Sequence, residues 1–214
     1  MLERLLAPHS RRLSFVAIKA APDPILPAPA EFDGLLITGS PAAVYEGHPW
    51  IEPLKDLVRR AASARRPSVG ICFGHQLMAE AFGGRVETSE KGWGVGVHDY
   101  EVRGVEDWMR PAAARIACVA SHQDQVVSPP PGARTLAASD FCPHAALSYA
   151  QGPAVSFQMH PEFSAEYARA LLDLRKERFA QGLYDAARAS LLTRRTDSDL
   201  LSGWIAAFFE GRAP

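Results

Sequence analysis

An α/β fold, with helices packed against a mixed sheet, is what the sequence predicts, and three observations carry it. Apolar strand-like runs alternate with helix-like ones over the first 80 or so residues. A Gly-Ile-Cys-Phe-Gly segment, 70–74, lies where one such strand gives way to a helix. From Arg85 to Gln158 several short strand candidates follow one another, separated by turns rich in Gly and Pro such as Pro129-Pro130-Pro131-Gly132.

The elements follow in order. Leu13 to Ala20 and Gly34 to Thr38 read as buried strands, joined through a proline-dense surface connection from Pro22 to Pro29. Trp50 to Ala64 reads as an amphipathic helix that ends in the basic pair Arg65-Arg66 before Pro67. Ser68 to Cys72 is the strand that feeds the turn, and His75 to Phe82 the helix that leaves it. Strands are then expected at Arg85 to Thr88, Gly94 to Val102, Arg115 to Ala120, Arg134 to Ala138, Ala146 to Gln151 and Ala154 to Gln158. Two helices, about Ser164 to Gln181 and Ser198 to Phe209, close the chain.

Composition bounds the function classes. With 214 residues, 47% hydrophobic and 22% charged, the chain can bury a full core and reads as one domain, 1–214. A net charge of −1 without a basic stripe argues against nucleic acid as a partner. Cys72, Cys118 and Cys142 lack metal-ligand spacing, and their odd number argues against a disulfide framework. No stretch reaches the length of a membrane span, and Met1-Leu2-Glu3-Arg4-Leu5-Leu6 is too charged for a signal peptide, so a cytoplasmic protein without metal or cofactor is expected.

Cys72 carries the chemistry. A nucleophile between strand and helix occupies a tight, strained bend, and Gly70 and Gly74 remove side chains that would collide there. The following helix points its N-terminus at the sulfur, where free N–H groups and the dipole favour thiolate. Alone, such a cysteine is more often a packed core thiol. The tie is broken by Ala154 to Phe163, a second apolar run that stops at His160-Pro161-Glu162. Pro161 ends the strand and leaves His160 at its tip, with Glu162 two residues on to orient the imidazole. Thiol nucleophile, histidine base and carboxylate orienter make up a triad.

These segments resemble the class I glutamine amidotransferase family. The likeness rests on Gly70-Ile71-Cys72-Phe73-Gly74-His75-Gln76 and on Gln158-Met159-His160-Pro161-Glu162. Leu36-Ile37-Thr38-Gly39-Ser40-Pro41 is similar to the family's oxyanion loop, and Ser121-His122-Gln123-Asp124-Gln125-Val126 to its substrate-proximal segment. Four ordered motifs between residues 36 and 162 argue against coincidence. The nearest likeness is to stand-alone proteins similar to the amidotransferase domain of GMP synthase, a group that includes gamma-glutamyl peptidases.

The resemblance implies a three-layer, flavodoxin-like fold with a mixed, mostly parallel sheet. It implies Cys72, His160 and Glu162 as catalytic residues, backbone N–H groups of Phe73 and of the Gly39-Ser40 turn as the oxyanion hole, and Gln76, Ser121 and His122 as substrate contacts. Asp124 is read as structural. Glutamine or another gamma-glutamyl compound is the implied substrate. The ammonia acceptor would lie on a separate synthetase chain, since no ATP-using domain fits the remaining length. A self-contained gamma-glutamyl hydrolase and a non-catalytic regulatory protein on the same scaffold are the alternatives. Ser40 stands where the family often has glycine, so the loop is expected to resist a positive φ and to rearrange on binding. Lys91-Gly92-Trp93-Gly94-Val95-Gly96 lacks the setting of a nucleotide loop and reads as hairpin or backbone packing. One departure concerns the start. Family members open with a strand before their first helix, whereas Met1 to Leu6 reads as the end of that helix, so the central first strand is expected to be missing and the sheet to carry unpaired edges.

Overall fold

Alternation along each strand divides most of the apolar side chains between two cores, and a third, smaller core joins Val95, Val97 and Val119 of the strands to Leu172 and Leu191. Val69 and Ile71 on one strand, and Val155 and Phe157 on its neighbour, face one way and pack with Leu6, Tyr100, Trp204 and Ile205. Ile37, Leu147 and Ala154 face the other way and pack with Leu54, Leu57, Val58, Leu77 and Met78. The sheet is thus the middle of three layers.

The computed structural model describes residues 1–22 and 25–211; residues 23 and 24 of the proline-dense connection lie outside the described residues. The elements are α1 (Leu2–Leu6), β1 (Leu35–Ile37), α2 (Ile51–Ser63), β2 (Ser68–Ile71), α3 (Phe73–Ala81), β3 (Arg85–Thr88), β4 (Gly94–Val102) and β5 (Arg115–His122). They continue with β6 (Asp124–Ser128), β7 (Arg134–Ala138), β8 (Ala146–Ser148), β9 (Ala154–Phe157), α4 (Ala165–Leu174), α5 (Gln181–Thr193) and α6 (Ser198–Phe209). Seven strands form one mixed sheet in the order β1-β2-β9-β8-β7-β4-β5, and β3 pairs with β6 in a separate antiparallel ribbon. The α/β architecture and mixed sheet are as expected. Parallel pairing, expected to prevail, is confined to β1-β2-β9; β9-β8, β8-β7, β7-β4 and β4-β5 are antiparallel.

Local chemistry explains the elements that frame the site. In α2, Ile51, Leu54, Leu57, Val58, Ala61 and Ala62 recur with helical period on one buried face. The helix ends in a Schellman arrangement: Arg65 N–H donates to the Ala62 carbonyl (3.0 Å), Arg66 N–H to that of Ala61 (2.9 Å), and Arg65 sits at φ 57°. At the far end of the sheet the exposed edge of β5 is capped by a side chain. The Asp197 carboxylate accepts from Ala117 N–H at 2.7 Å, and Asp197 N–H donates to the Ala117 carbonyl at 2.7 Å.

Several expectations are corrected. Leu13 to Ala20 is not a strand; among the described residues no strand pairs with it, and Val16 stands 88% exposed while Leu13 and Phe15 pack on the first core. Its apolar pattern cannot form a strand without a neighbour for its backbone groups. β1, the outer strand of the sheet, is three residues long. The helix expected over Ser164 to Gln181 stops at Leu174. A 3-10 turn, Lys176–Arg178, leads to Phe179, whose ring meets Trp93 edge-on at 5.5 Å, and the chain returns as α5 against β4. Three helices therefore close the described chain, and β6 is a further strand that the pattern does not show. The Gly-rich stretch opens β4, where Gly96 lies against α5: a Cβ there would come within 2.9 Å of Ala187 Cα.

Candidate functional site

The parallel strands β2 and β9 end together, because Ile71 pairs with Phe157. Cys72 follows Ile71 directly, and its N–H donates to the Phe157 carbonyl at 2.8 Å. The chain then turns into α3 with Cys72 at φ 53°, ψ −102°, a conformation that costs a residue with a Cβ roughly 1–3 kcal/mol. Close approach demands the flanking glycines. A Cβ on Gly70 would sit 2.7 Å from Met78 Sδ and clash with the Gly74 carbonyl; one on Gly74 would run into the Ile37 carbonyl group, 2.9 Å from its carbon. The elbow is thereby clamped between its own helix and β1.

Three residues beyond Phe157, His160 is held by its backbone: its N–H donates to the Val119 carbonyl of β5 at 2.8 Å. Its side chain is almost wholly buried and bonded to Glu162, with Nδ1 and Oε1 2.8 Å apart. An ionised carboxylate only accepts, so Nδ1 carries the proton and Nε2 is the nitrogen left to face Cys72. Burial pushes the imidazole down, but the facing Cys72 and the Glu162 carboxylate outweigh it and raise His160 to about 10. The ring also stacks on Phe163, centroids 3.9 Å apart. Sequence reasoning misses Phe163, whose signal is an aromatic directly after Glu162.

The Gly39-Ser40 turn, at the end of β1, lies over this pair. A Cβ on Gly39 would be 3.2 Å from His160 Cε1 and 3.7 Å from Cys72 Cβ. Ser40 is not among the residues at positive φ, and its Oγ accepts from Ala42 N–H at 3.2 Å. The strain anticipated for a side chain at this position is therefore absent from this conformation. Phe73, the first residue of α3, is buried against Trp50 with ring centroids 5.4 Å apart.

Gln76 is neither a solvated side chain nor a cap. It is buried, and Nε2 donates to the Asp124 carbonyl at 2.9 Å and to Gln158 Oε1 at 3.0 Å. His122 lies at the end of β5 with its ring buried; Nδ1 donates to the same Asp124 carbonyl at 3.2 Å, which fixes Nε2 as the unprotonated nitrogen. Burial first, then the neighbouring His160, lowers His122 to about 3, so it is neutral beside the raised His160. Ser121 is half-buried, opposite Val95 in the β4-β5 ladder. Behind the elbow, His75 Nδ1 meets Ser156 Oγ at 2.7 Å, and Ser156 Oγ meets the Tyr149 hydroxyl at 2.7 Å, a buried chain that ties α3 to β9. Cys118 and Cys142 are buried thiols held protonated by desolvation. Among the described residues, no group of three His, Cys, Asp or Glu could hold a metal ion, and no helix is long and apolar enough to cross a membrane.

Comparison with known proteins gives the family and the fold. Residues 2–173 match the family described as glutamine amidotransferase class-I. The chain is 35% identical over 154 residues to a glutamine-hydrolyzing GMP synthase subunit of Archaeoglobus fulgidus, covering 69% of this chain and 78% of that protein. It is 26% identical over 189 residues to gamma-glutamyl peptidase 2 of Arabidopsis thaliana, covering 85% of this chain and 75% of the peptidase. Among solved structures, a glutamine amidotransferase from Methylobacillus flagellatus shares the fold with a TM-score of 0.79 at 22% identity, over 97% of this chain and 87% of that one.

Proposed function

The chain belongs to the class-I glutamine amidotransferase family, and from that premise we propose that it hydrolyses the gamma-amide of glutamine or of a related gamma-glutamyl compound through Cys72. The observation that carries the reading is the convergence of Cys72, His160 and Glu162 beneath the Gly39 turn, with Nδ1 of His160 committed to Glu162.

The Cys72 thiolate attacks the carboxamide carbon, and the negative charge that develops on oxygen is received by backbone N–H groups of Phe73 and the Gly39-Ser40 turn. His160 Nε2 gives its proton to the departing nitrogen as the C–N bond breaks, which releases ammonia or an amine and leaves a gamma-glutamyl thioester. A water then loses its proton to Nε2 and attacks the thioester carbon; the C–S bond breaks and glutamate leaves. Glu162 fixes the tautomer and stabilises the imidazolium. Loss of one oxyanion donor would cost on the order of 3 kcal/mol of transition-state stabilisation. Gln76, Ser121 and His122 border the space where the amino-acid end of the substrate lies in this reading. A working thiol suits a reducing compartment such as the cytoplasm.

The likeness to the GMP synthase subunit supports a role as the ammonia-producing partner of a separate synthetase chain. The likeness to a gamma-glutamyl peptidase spans more of this chain and favours, as a second reading, a hydrolase that acts alone. Ammonia and glutamate release from glutamine, measured beside a panel of gamma-glutamyl peptides and a Cys72→Ala control, tests both. Activity abolished in the control supports the thiol mechanism, and the preferred substrate separates the two readings. A folded protein silent on every substrate, with and without a synthetase, overturns the proposal.

A further inference from the structure

The loop between Gly39 and Trp50 runs from the turn over Cys72 to the start of α2 without regular structure. Two apolar anchors seat it on the second core: Val44 and Trp50 are buried there, and Trp50 packs on Phe73. Between them Tyr45 points elsewhere. Its ring is half-exposed, yet its hydroxyl donates to Asp124 Oδ1 at 2.8 Å and lies 2.8 Å from Thr88 Oγ1, which itself donates to Asp124 Oδ1 at 2.8 Å. Two hydroxyl protons serve three contacts, so one is shared and the three groups hold one another in place. Burial and the Asp124 carboxylate raise the phenol above its ordinary range, so it remains a donor.

Asp124 is the joint of this arrangement. Its side chain takes the loop through Tyr45, and its backbone carbonyl takes Gln76 of α3 and His122 of β5. The contacts close a ring: Gly39 turn, Tyr45, Asp124, Gln76 and back along α3 to Cys72.

We infer that Tyr45 is a positioning residue, a latch whose hydroxyl ties the 39–50 loop to the β3-β6 ribbon and so holds the Gly39-Ser40 turn in place over Cys72 and His160. The inference rests on the reading of that turn as the oxyanion loop. Removing the hydroxyl leaves the apolar anchors intact, so the loop stays attached but loses its fixed height above the sulfur. On this inference substrate binding is spared, while stabilisation of the transition state, which needs the turn in place, is not.

Tyr45→Phe is the test, with Tyr184→Phe as control, since the Tyr184 hydroxyl bonds Asp173 between α4 and α5, away from the loop. Amide hydrogen exchange over residues 39–49 reads the latch without any assay of turnover. The expected result is exchange faster by about tenfold in Tyr45→Phe, with kcat on the best gamma-glutamyl amide lowered by about tenfold and KM changed by less than about twofold. Tyr184→Phe should alter neither. Unchanged exchange in Tyr45→Phe overturns the latch, as does faster exchange with kcat intact, or a rise in KM alone, which would make Tyr45 a substrate contact. An active wild type with any of these results leaves the proposed function standing. A wild type that hydrolyses no gamma-glutamyl amide removes that function, and the inferred role in positioning catalysis fails with it, whatever the exchange shows of the loop.

Discussion

The His160 imidazole lies flat on the Phe163 ring, with centroids 3.9 Å apart and planes 12° from parallel. Glu162 fixes one edge of the imidazole and Phe163 covers one face, so the ring can neither swing nor tilt away from Cys72. Phe163 is held in turn by Tyr167, edge-on at 4.7 Å. An imidazolium gains from the electron-rich face of a benzene ring by about 0.5–2 kcal/mol. Phe163→Leu should therefore lower kcat by about tenfold, and Phe163→Tyr, which keeps the face, should restore most of it. Steady-state kinetics of the two variants check this; equal activity in all three proteins would make the stack incidental.

His160 couples the site to stability. Its proton affinity is raised from the ordinary 6.5 to about 10 against the opposing effect of burial. Below pH 6.5 the imidazole is protonated in both folded and unfolded chains, and the stabilisation is fully present. Between the two values the unfolded chain sheds its proton first, so stability falls as pH rises, and the contribution is gone above about 10. Cys72→Ala removes the leading favourable cause, and the decline should flatten. Urea midpoints of both proteins at pH 6, 8 and 10 read the difference, which parallel curves would contradict.

Gly74 is a steric requirement. A Cβ there meets the main chain of Ile37 in β1, and backbone in a sheet cannot step aside as a side-chain tip can. Gly74→Ala should cost at least about 3 kcal/mol, or abolish folding. Gly182→Ala, at a helical site with nothing within 4 Å, should be neutral or stabilising by up to about 1 kcal/mol. Denaturant melts of the two variants test the contrast.

Arg65 occupies a position that glycine fills more easily. It closes α2 at φ 57°, where its Cβ is strained. Arg65→Gly should raise stability by about 0.5–1 kcal/mol, the relief at the cap exceeding the entropy gained by the unfolded chain. A lowered urea midpoint would show that the arginine side chain holds more than the backbone does.

The sequence is legible where a strand's neighbours are close and its turns are marked. β3, β4, β7 and α6 fall on the expected bounds, and Cys72 comes together with His160 and Glu162 although they lie far along the chain from it. Pattern fails where a missing or distant neighbour decides. Leu13, Phe15, Val16 and Ile18 look like a strand, but a strand exists only in a pair. The run from Ser164 onward carries no proline to end a helix, so the break after Leu174, set by the seating of Phe179 on Trp93, is invisible along the chain. β6 is hidden because Asp124 to Val126 reads as part of a substrate-proximal segment. The Tyr45 latch leaves no trace, for nothing along the chain links residues 45, 88 and 124.

The pairing of Ile71 with Phe157 is a ruler. It sets the offset between a sulfur one residue past one strand and an imidazole three residues past the next, and no loop length enters that measurement. Segments that touch neither strand can lengthen or shorten while the two reactive atoms stay face to face, provided β5 keeps its Val119 carbonyl on the His160 N–H. A slip of one residue between β2 and β9 would put the shifted strand's side chains on the wrong face and carry the nucleophile away from its base. The register of this one rung is thus a geometric condition on the reactive pair.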